Sequence, residues 1–454
     1  MKLGALLISA LALGACGDDE PLAPTNGDGG VVSRDFTLRI ENVAPWTVLK
    51  AGTQATKTDL IDGPAGPGEA FELRFTANNH HFVSFATMFG ESNDWFFAPK
   101  PQGIPLFSGG SPTSGDVTRF VRLWDAGTEL DQEPAVGDAT APRQATRDMG
   151  EPDPDRRVRE VPMTTRLADG STFVRPATAA MIHVTLTPGP EQQFTLRIEN
   201  VSTATTLLTS QGPTAVHLSP LAWAIHRVPG PIFDPGEPAR ENGLESLAEA
   251  GAPDPLGSSL RNVRGYASGL SPGVFVVHGA AAPLFAPGNP DFGVGLERLA
   301  EDGDHGPLLA ALQATPPAGV SAVGAFDAPA NAAAPSPAMP GQAFELIVHG
   351  APGEAVSFAT MFGMSNDWLF AARPEGIALF ADGVPRSCDV TADVVLYDLG
   401  TEVDEELDVG PSTAPQQPAP DTGRLDRIGE VREVTLERYG VPEVLHLRVT
   451  LEPR

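Results

Sequence analysis

The sequence predicts an all-β chain of two antiparallel β-sandwich domains, the second with an inserted tandem of short strand-loop-helix units. Three observations indicate this fold class: short runs of β-branched and aromatic residues, turn formers between those runs, and blocks of sequence that recur at fixed offsets. Glycine and proline account for 48 and 45 of the 454 residues and are interspersed rather than clustered. This distribution is typical of many short strands joined by turns.

Five apolar runs predict the strands of the shared core. They are 36–40, 70–75, 81–88, 117–123 and 182–186. In the second run, Phe71, Leu73 and Phe75 alternate with polar residues, which indicates a sheet with one buried face. Two stacked antiparallel sheets are the simplest architecture for so many short strands.

The first predicted strand recurs at one offset and the rest of the core at another. The sequence Phe-Thr-Leu-Arg-Ile-Glu-Asn-Val at 36–43 returns at 194–201, an offset of 158. Four later blocks return at an offset of 273: they begin at residues 68, 84, 92 and 125. The second copy therefore carries 115 additional residues after its first strand, the difference between 273 and 158. The predicted domains are 35–188, a shortened sandwich without this segment, and 193–452, which contains it.

The additional segment is itself a tandem of two 52-residue units, which covers 218–321. Residues 243–251 match 295–303, and His226 matches His278, both at an offset of 52. Each unit predicts a strand that ends at the histidine, a loop, and one short helix closed by glycine. We expect the tandem to lie outside the shared strands of the second sandwich. The two histidines have no neighbouring His or Cys in sequence, so we interpret them as hydrogen-bonded structural residues.

The N-terminus predicts a lipoprotein. Residues 1–15 contain one positive charge, an apolar run and small residues before Cys16, as export signals do. The last four residues, Leu-Gly-Ala-Cys, resemble the bacterial lipobox, in which the cysteine is acylated; the alternative is a plain signal peptide followed by a chance cysteine. We expect a lipid on Cys16 and a flexible tether over 16–34. An aspartate directly after the cysteine resembles the signal for retention in the inner membrane. This position is Gly17 here, which favours the outer membrane of the cell envelope.

The charge and the cysteine count restrict the partners. A formal net charge of −28 argues against nucleic acid and against direct adsorption to anionic headgroups, and it favours cations. Beyond the signal, no stretch reaches the roughly 18 apolar residues of a membrane-spanning helix, so lipid is the only membrane anchor expected. With Cys16 acylated only Cys388 remains, and no intrachain disulfide is expected.

Several motifs together resemble the spondin N-terminal domain of F-spondin and mindin, and its bacterial relatives. They are 83–85, 92–95 and 124–129 in the first copy and 356–358, 365–368 and 397–402 in the second, together with the two 52-residue units. The resemblance covers most of both predicted domains. It implies C2-like sandwiches with a calcium site in the loops at one end. Two departures occur in each copy: asparagine replaces a proline at Asn93 and Asn366, and glutamate replaces an aspartate at Glu129 and Glu402.

The acidic residues of these loops are the candidate metal ligands. Asp94 follows a predicted strand, and Asp125 and Glu129 flank a glycine turn, so we expect their three carboxylates to converge. Calcium takes six to eight oxygen ligands from such loops. The full set of candidates is Asp94, Asp125, Glu129 and Glu72 in the first copy, and Asp367, Asp398, Glu402 and Glu345 in the second. The alternative is that Asp94 and Asp125 are turn-forming aspartates bonded to their own backbone.

Two classes of function remain open. The first is a calcium-supported adhesion or ligand-binding module, displayed on the envelope, with a protein or glycan as ligand. The alternative is a metal-dependent hydrolase of envelope polymers that uses the same acidic loops; an open coordination position and a positioned base would favour it. The sequence contains no complete nucleophile elbow, no phosphate-binding loop and no zinc-protease helix motif, so we expect the protein not to be an enzyme.

Overall fold

The computed structural model describes residues 32–44, 47–279, 282–434 and 446–454. The predicted signal peptide, Cys16 and most of the predicted tether lie outside these residues. The chain divides into two compact units. Unit 1 comprises 1–45 and 267–454, and unit 2 comprises 46–266.

The strands and helices alternate with short loops along both units. Unit 1 begins with β1 (Arg34–Asn42). Unit 2 contains β2 (Val48–Gln54), β3 (Ala70–Thr76), β4 (Phe82–Phe89), β5 (Trp95–Pro99), β6 (Ile104–Pro105), β7 (Phe107–Ser108), β8 (Ser111–Pro112), β9 (Gly115–Asp116), β10 (Val121–Asp125), β11 (Arg159–Glu160), β12 (Thr164–Arg166), β13 (Thr172–Val174), β14 (Ile182–Pro188), β15 (Gln193–Asn200), β16 (Leu207–Thr209), β17 (Gly212–Thr214), β18 (Leu218–His226), α1 (Leu244–Ala250) and α2 (Asp254–Asn262).

Unit 1 then continues to the end of the chain. It contains β19 (Leu270–His278), α3 (Leu296–Asp302), α4 (Gly306–Ala314), β20 (Val320–Phe326), β21 (Ala343–Gly350), β22 (Ala355–Phe362), β23 (Trp368–Ala372), β24 (Ile377–Ala378), β25 (Phe380–Ala381), β26 (Val384–Pro385), β27 (Cys388–Asp389), β28 (Val394–Asp398), β29 (Arg432–Glu433) and β30 (Leu447–Pro453). Short 3-10 turns occur at Thr118–Phe120, Thr178–Ala180 and Thr391–Asp393.

Each unit contains a larger and a smaller antiparallel sheet. Over the described residues, unit 2 has a seven-stranded sheet in the order β11-β10-β5-β4-β18-β2, with β6 beside β4, and a four-stranded sheet β3-β15-β14-β9. Unit 1 has the same arrangement, β29-β28-β23-β22-β19-β20 with β24 beside β22, and β21-β1-β30-β27. The predicted all-β sandwich class is therefore confirmed.

The larger sheet of unit 2 is buried on both faces. On one face it packs against the smaller sheet, where the Trp223 ring of β18 stacks on Phe75 of β3 with centroids 6.3 Å apart. The other face is covered by α1 and α2, whose leucines pack against Ala86 and Phe96. For this reason every residue of β5 is buried, as fits a central strand. Helices α3 and α4 cover the larger sheet of unit 1 in the same way.

The observed division of the chain differs from the predicted one. Strand β1 pairs with β21 and β30 of unit 1, and β15 takes the equivalent place between β3 and β14 in unit 2. The segment 188–193, predicted as a domain boundary, is the turn of the β14–β15 hairpin. The physical reason is that 36–43 and 194–201 have identical sequences and burial patterns, so either one fits either sheet equally well.

The prediction that the 52-residue tandem lies outside the shared strands is also wrong. Each unit contains one 52-residue segment, and its strand, β18 or β19, pairs on both sides within the larger sheet. Unit 2 is therefore a complete copy rather than a shortened one. Its first strand and its strand-helix-helix segment come last in the chain, which makes it a permuted copy inserted after β1 of unit 1.

The predicted anchor, Cys16, lies outside the described residues. Within the described residues, no helix is long and apolar enough to cross a membrane. Cys388, the other cysteine of the chain, is buried in β27 of the smaller sheet of unit 1.

Candidate functional site

Three aspartates converge at one end of the larger sheet of unit 2. Asp94 immediately precedes β5, Asp125 ends β10, and Asp131 lies in the loop that follows. The antiparallel pairing of β5 with β10 places Trp95 opposite Asp125 and so brings the two strand ends together. One carboxylate oxygen from each aspartate lies within 4.8 Å of the others. We call these residues the Asp94 group.

The carboxylate of Asp94 is only half satisfied. Its Oδ2 accepts hydrogen bonds from the backbone N–H of Thr128 at 2.8 Å, from the Thr128 hydroxyl at 3.0 Å and from the N–H of Glu129 at 3.1 Å. Its Oδ1 is buried and has no hydrogen-bond partner among the described residues. A buried oxygen in this state is costly, and a bound cation or a proton would satisfy it. We call it the open oxygen of Asp94.

The other two aspartates are partly engaged by the protein. Oδ1 of Asp125 accepts the backbone N–H of Gly127 at 2.6 Å, which is the turn-forming role expected as the alternative. Oδ2 of Asp125 pairs with Arg159 at 2.5 Å. Asp131 accepts the indole N–H of Trp95 at 2.5 Å. Asp125 therefore stabilises its own turn and still presents a carboxylate to the group.

Burial makes this group a poor place for negative charge. It raises the pKa of Asp94 to about 6, although hydrogen bonds from Glu129 and Thr128 oppose the rise. Burial, followed by the charge of Asp94, raises the pKa of Asp131 to about 7. The pKa of Asp125 is raised well above its ordinary value by burial and then by Asp94 and Asp131. Without a cation, the group therefore retains protons near neutral pH.

Unit 1 contains the same arrangement. Asp367, Asp398 and Asp404 again place one oxygen each within 4.8 Å of one another, and we call them the Asp367 group. Oδ2 of Asp367 accepts the N–H of Thr401 at 2.8 Å, while its Oδ1 is buried without a partner in the part of the chain that the structure describes. Burial raises the pKa of Asp367 to about 6 and that of Asp398 to about 7.

An arginine and a tryptophan also repeat beside the Asp367 group. Arg432 lies 2.6 Å from Oδ2 of Asp398. In unit 2, Arg159 lies 2.5 Å from Oδ2 of Asp125. The indole of Trp368 donates to Asp404 at 2.7 Å. The two groups therefore share their hydrogen-bond scheme as well as their carboxylates.

The predicted ligands Glu129 and Glu402 lie beside these groups, outside the sets of three. Glu129 accepts the side-chain amide of Asn93 at 3.1 Å and the backbone N–H of Gly150 at 2.7 Å. Glu402 accepts the amide of Asn366 at the same distance. The two departures from the spondin motif, asparagine for proline and glutamate for aspartate, are thus hydrogen-bonded to each other in both units. Both carboxylates are thus engaged by other partners, and neither glutamate belongs to a set of three.

The remaining predicted ligands, Glu72 and Glu345, lie on the smaller sheets. Glu72 forms a cross-strand ion pair with Arg197 at 3.4 Å, and Glu345 pairs with Arg39 at 2.6 Å. Both side chains are about a third to a half exposed, at 34% and 49%. Neither belongs to an acidic group of the larger sheets.

Asp131 and Asp404 were not among the ligands predicted from the sequence. The available signal was their repetition at the same offset of 273 that relates the other ligands. The histidine interpretation, by contrast, is confirmed: Nε2 of His226 lies 2.9 Å from the Ser84 hydroxyl, and Nε2 of His278 lies 2.8 Å from that of Ser357. Both histidines are buried within the larger sheets.

Comparison of the chain with protein-family models and with curated proteins found no match. The case for a function therefore depends on the geometry of the acidic groups and on the motifs described above.

Proposed function

We propose that the protein is a calcium-supported binding module of the spondin N-terminal type, carried on the cell envelope by a lipid at Cys16. In this proposal each unit binds one Ca²⁺, one in the Asp94 group and one in the Asp367 group. The observation that carries the proposal is the open oxygen of Asp94, which is buried beside two other carboxylates. The equivalent oxygen of Asp367 repeats it in unit 1.

The donor set supports a hard cation. All the converging atoms are carboxylate oxygens, the ligands that calcium and magnesium prefer. Oxygens that bind one Ca²⁺ at about 2.3–2.6 Å lie at most about 5 Å apart, which agrees with their mutual distances here. Arg159 does not neutralise the group, because it is shared between Asp125 and Asp153 at 2.5 Å each.

Burial supports a structural cation over a catalytic one. The residues Asp94 and Asp125 are only 0% and 2% exposed, so a polymer chain has little access to their carboxylates. A hydrolase would require an open coordination position that substrate can reach. We therefore propose that the ion fixes the loops at the end of each sandwich and that those loops present the surface for an envelope ligand, a protein or a glycan.

Calorimetric titration of the chain carrying Cys16→Ser with Ca²⁺, Mg²⁺ and Zn²⁺ tests the proposal. We expect saturable Ca²⁺ binding that falls by one ion per unit when Asp94→Asn and Asp367→Asn are combined. The matched control combines Glu72→Gln and Glu345→Gln, which also removes two charges but leaves both acidic groups intact. Equal calcium binding by the two double variants would contradict the proposal.

A further inference from the structure

A second set of carboxylates meets under the first helix of each unit. In unit 2, oxygens of Asp148, Glu245 and Glu249 lie within 4.8 Å of one another. The two glutamates are four residues apart on α1 and therefore project from the same face of the helix. Asp148 comes from the loop between β10 and β11. All three line a cleft of about 410 Å³, together with two further acids, Glu129 and Glu241, and one basic residue, Arg156.

Glu249 is the buried member of this set. Only 1% of the residue is exposed, yet it faces two other carboxylates in the cleft. Its Oε2 accepts the backbone N–H of Asp148 at 3.1 Å. Its Oε1 is buried and meets no partner at hydrogen-bond geometry among the residues that the structure describes. Like charges four residues apart destabilise a helix, so the sequence places these acids together at a cost.

Unit 1 repeats the set with Glu297, Glu301 and Asp421. Glu301 is also 1% exposed, and its Oε2 is buried without a partner in the described part of the chain. The glutamates recur at an offset of 52 and the aspartates at an offset of 273. The helix and the loop recur at different offsets in the sequence, yet they bring the same three carboxylates together in both units.

One hydroxyl in unit 1 lies between two carboxylates, one from each acidic set. The Thr401 hydroxyl lies 2.8 Å from Oε1 of Glu301 and 3.0 Å from Oδ2 of Asp367. A hydroxyl has a single proton and cannot donate it to both carboxylates at once. A cation or an added proton beside one of them removes this conflict.

We propose that each unit binds a second divalent cation, most naturally Ca²⁺, between its first helix and the loop that follows β10 or β28. The ligands are Glu245, Glu249 and Asp148 in unit 2 and Glu297, Glu301 and Asp421 in unit 1. This site uses different residues from the Asp94 and Asp367 groups and does not depend on the function proposed above. The ion fastens the helix to the acidic loop of its own sandwich.

Calorimetric titration of the chain carrying Cys16→Ser with Ca²⁺ tests the inference. Calorimetry counts all bound ions, and we expect four per chain from the four acidic groups. Combining Glu249→Gln and Glu301→Gln should reduce the count to two. Combining Asp94→Asn and Asp367→Asn should also reduce it to two, through loss of the other pair of ions.

Two further variants separate ligation from general charge and guard against misfolding. Glu241→Gln removes a charge from the cleft without removing a ligand and should retain all four ions. Asp148→Asn, at an exposed position, should weaken one site by roughly tenfold or more, since the number of charged ligands sets affinity.

The outcomes distinguish this inference from the proposed function. A count of two that is lost with Asp94→Asn and Asp367→Asn, and is unaffected by Glu249→Gln and Glu301→Gln, overturns the second site and leaves the proposed function standing. A count of two that is lost with Glu249→Gln and Glu301→Gln, and is unaffected by Asp94→Asn and Asp367→Asn, supports the second site and overturns the first. Absence of any binding overturns both.

Discussion

Nη2 of Arg159 lies 2.5 Å from Oδ2 of Asp125, so the protein supplies one positive charge to its own acidic group. The side chain of Arg159 is 35% exposed and also reaches Asp153. The guanidinium and the proposed calcium ion therefore act on the same carboxylates. Removing the guanidinium should therefore make the stability of the fold depend more strongly on calcium.

Arg159→Gln should lower the stability of the calcium-free protein by about 1 to 2 kcal/mol, because Asp125 loses its charge-assisted hydrogen bond at a partly exposed site. Calcium should restore most of this loss, so the gap between melting temperatures in EDTA and in millimolar calcium should widen. The matched control is Arg157→Gln, whose side chain is 62% exposed and pairs with Asp155 at 3.5 Å, outside the Asp94 group. An equal loss with and without calcium would show that no ion shares these carboxylates.

Stability should also depend on pH through His226. Burial lowers the pKa of its imidazole to about 4, against 6.5 in the unfolded chain, although the carbonyl of Val228 opposes the shift. The unfolded chain therefore binds more protons between these values, and stability falls as pH drops from about 6.5 to 4. The total loss is on the order of 3 kcal/mol, and none is expected above that window.

Denaturant unfolding of wild type and His226→Asn across this pH range checks that expectation. Carboxylates titrate in the same range, so the informative quantity is the difference between the two proteins at each pH. The difference should shrink as the solution becomes more acidic, because asparagine does not titrate. Parallel stability curves would mean that His226 is not buried as a neutral ring.

The observed division into units predicts which fragments fold. Residues 46–266 include every described strand and helix of unit 2 and should unfold cooperatively in denaturant. Residues 35–188 lack β15 and β18, the partners of β3 and β4, and should not form a stable fold. Circular dichroism and denaturant melts of both fragments provide the measurement. If the fragment 35–188 unfolded cooperatively and the fragment 46–266 were disordered, the division predicted from the sequence would be correct.

The positions of the strands could be predicted from local sequence patterns, whereas the partners of two strands could not. The strands at 70–75, 81–88 and 182–186 were predicted nearly at their observed bounds, because alternation and turn residues are local signals. The exchange of β1 and β15 was not predictable, since their identical sequences contain no information about which sheet each one joins. The second helices, α2 and α4, were missed because only the repeated Leu-Glu-x-Leu-Ala-Glu pattern was interpreted as helical.

The candidate site was predicted in part for a similar reason. Asp94 and Asp125 lie at strand ends, which the sequence pattern locates, so their convergence at one end of the sheet could be predicted. The structure brings the two carboxylates together. Glu129 was also expected there, but its orientation is decided by the amide of Asn93 and the N–H of Gly150, which lies 21 residues further along the chain. Contacts of that kind depend on tertiary folding, and one sequence without its fold does not reveal them.

The lipid anchor has a separate test with its own control. Cys16→Ser should abolish labelling by a fatty-acid analogue and release the chain from the membrane fraction. Cys388→Ser should leave both labelling and membrane association unchanged, since the lipobox residues remain intact. If Cys16→Ser stays in the membrane fraction or is still labelled, Cys16 is not the anchor.

The central claim, a cation at the open oxygens, is tested most directly by one thermal-melt series. Wild type, the combined Asp94→Asn and Asp367→Asn variant, and the combined Glu72→Gln and Glu345→Gln control are each melted in EDTA and in millimolar calcium. Calcium should stabilise wild type and control by about 2.7 kcal/mol per site when it is 100-fold above the dissociation constant. In the asparagine variant the amide replaces the unpaired oxygen by a donor that faces carboxylates, so the EDTA melting temperature should rise and the part of the calcium increment that comes from these two sites should disappear. A calcium increment of the same size in all three proteins, or none in wild type, would contradict the account.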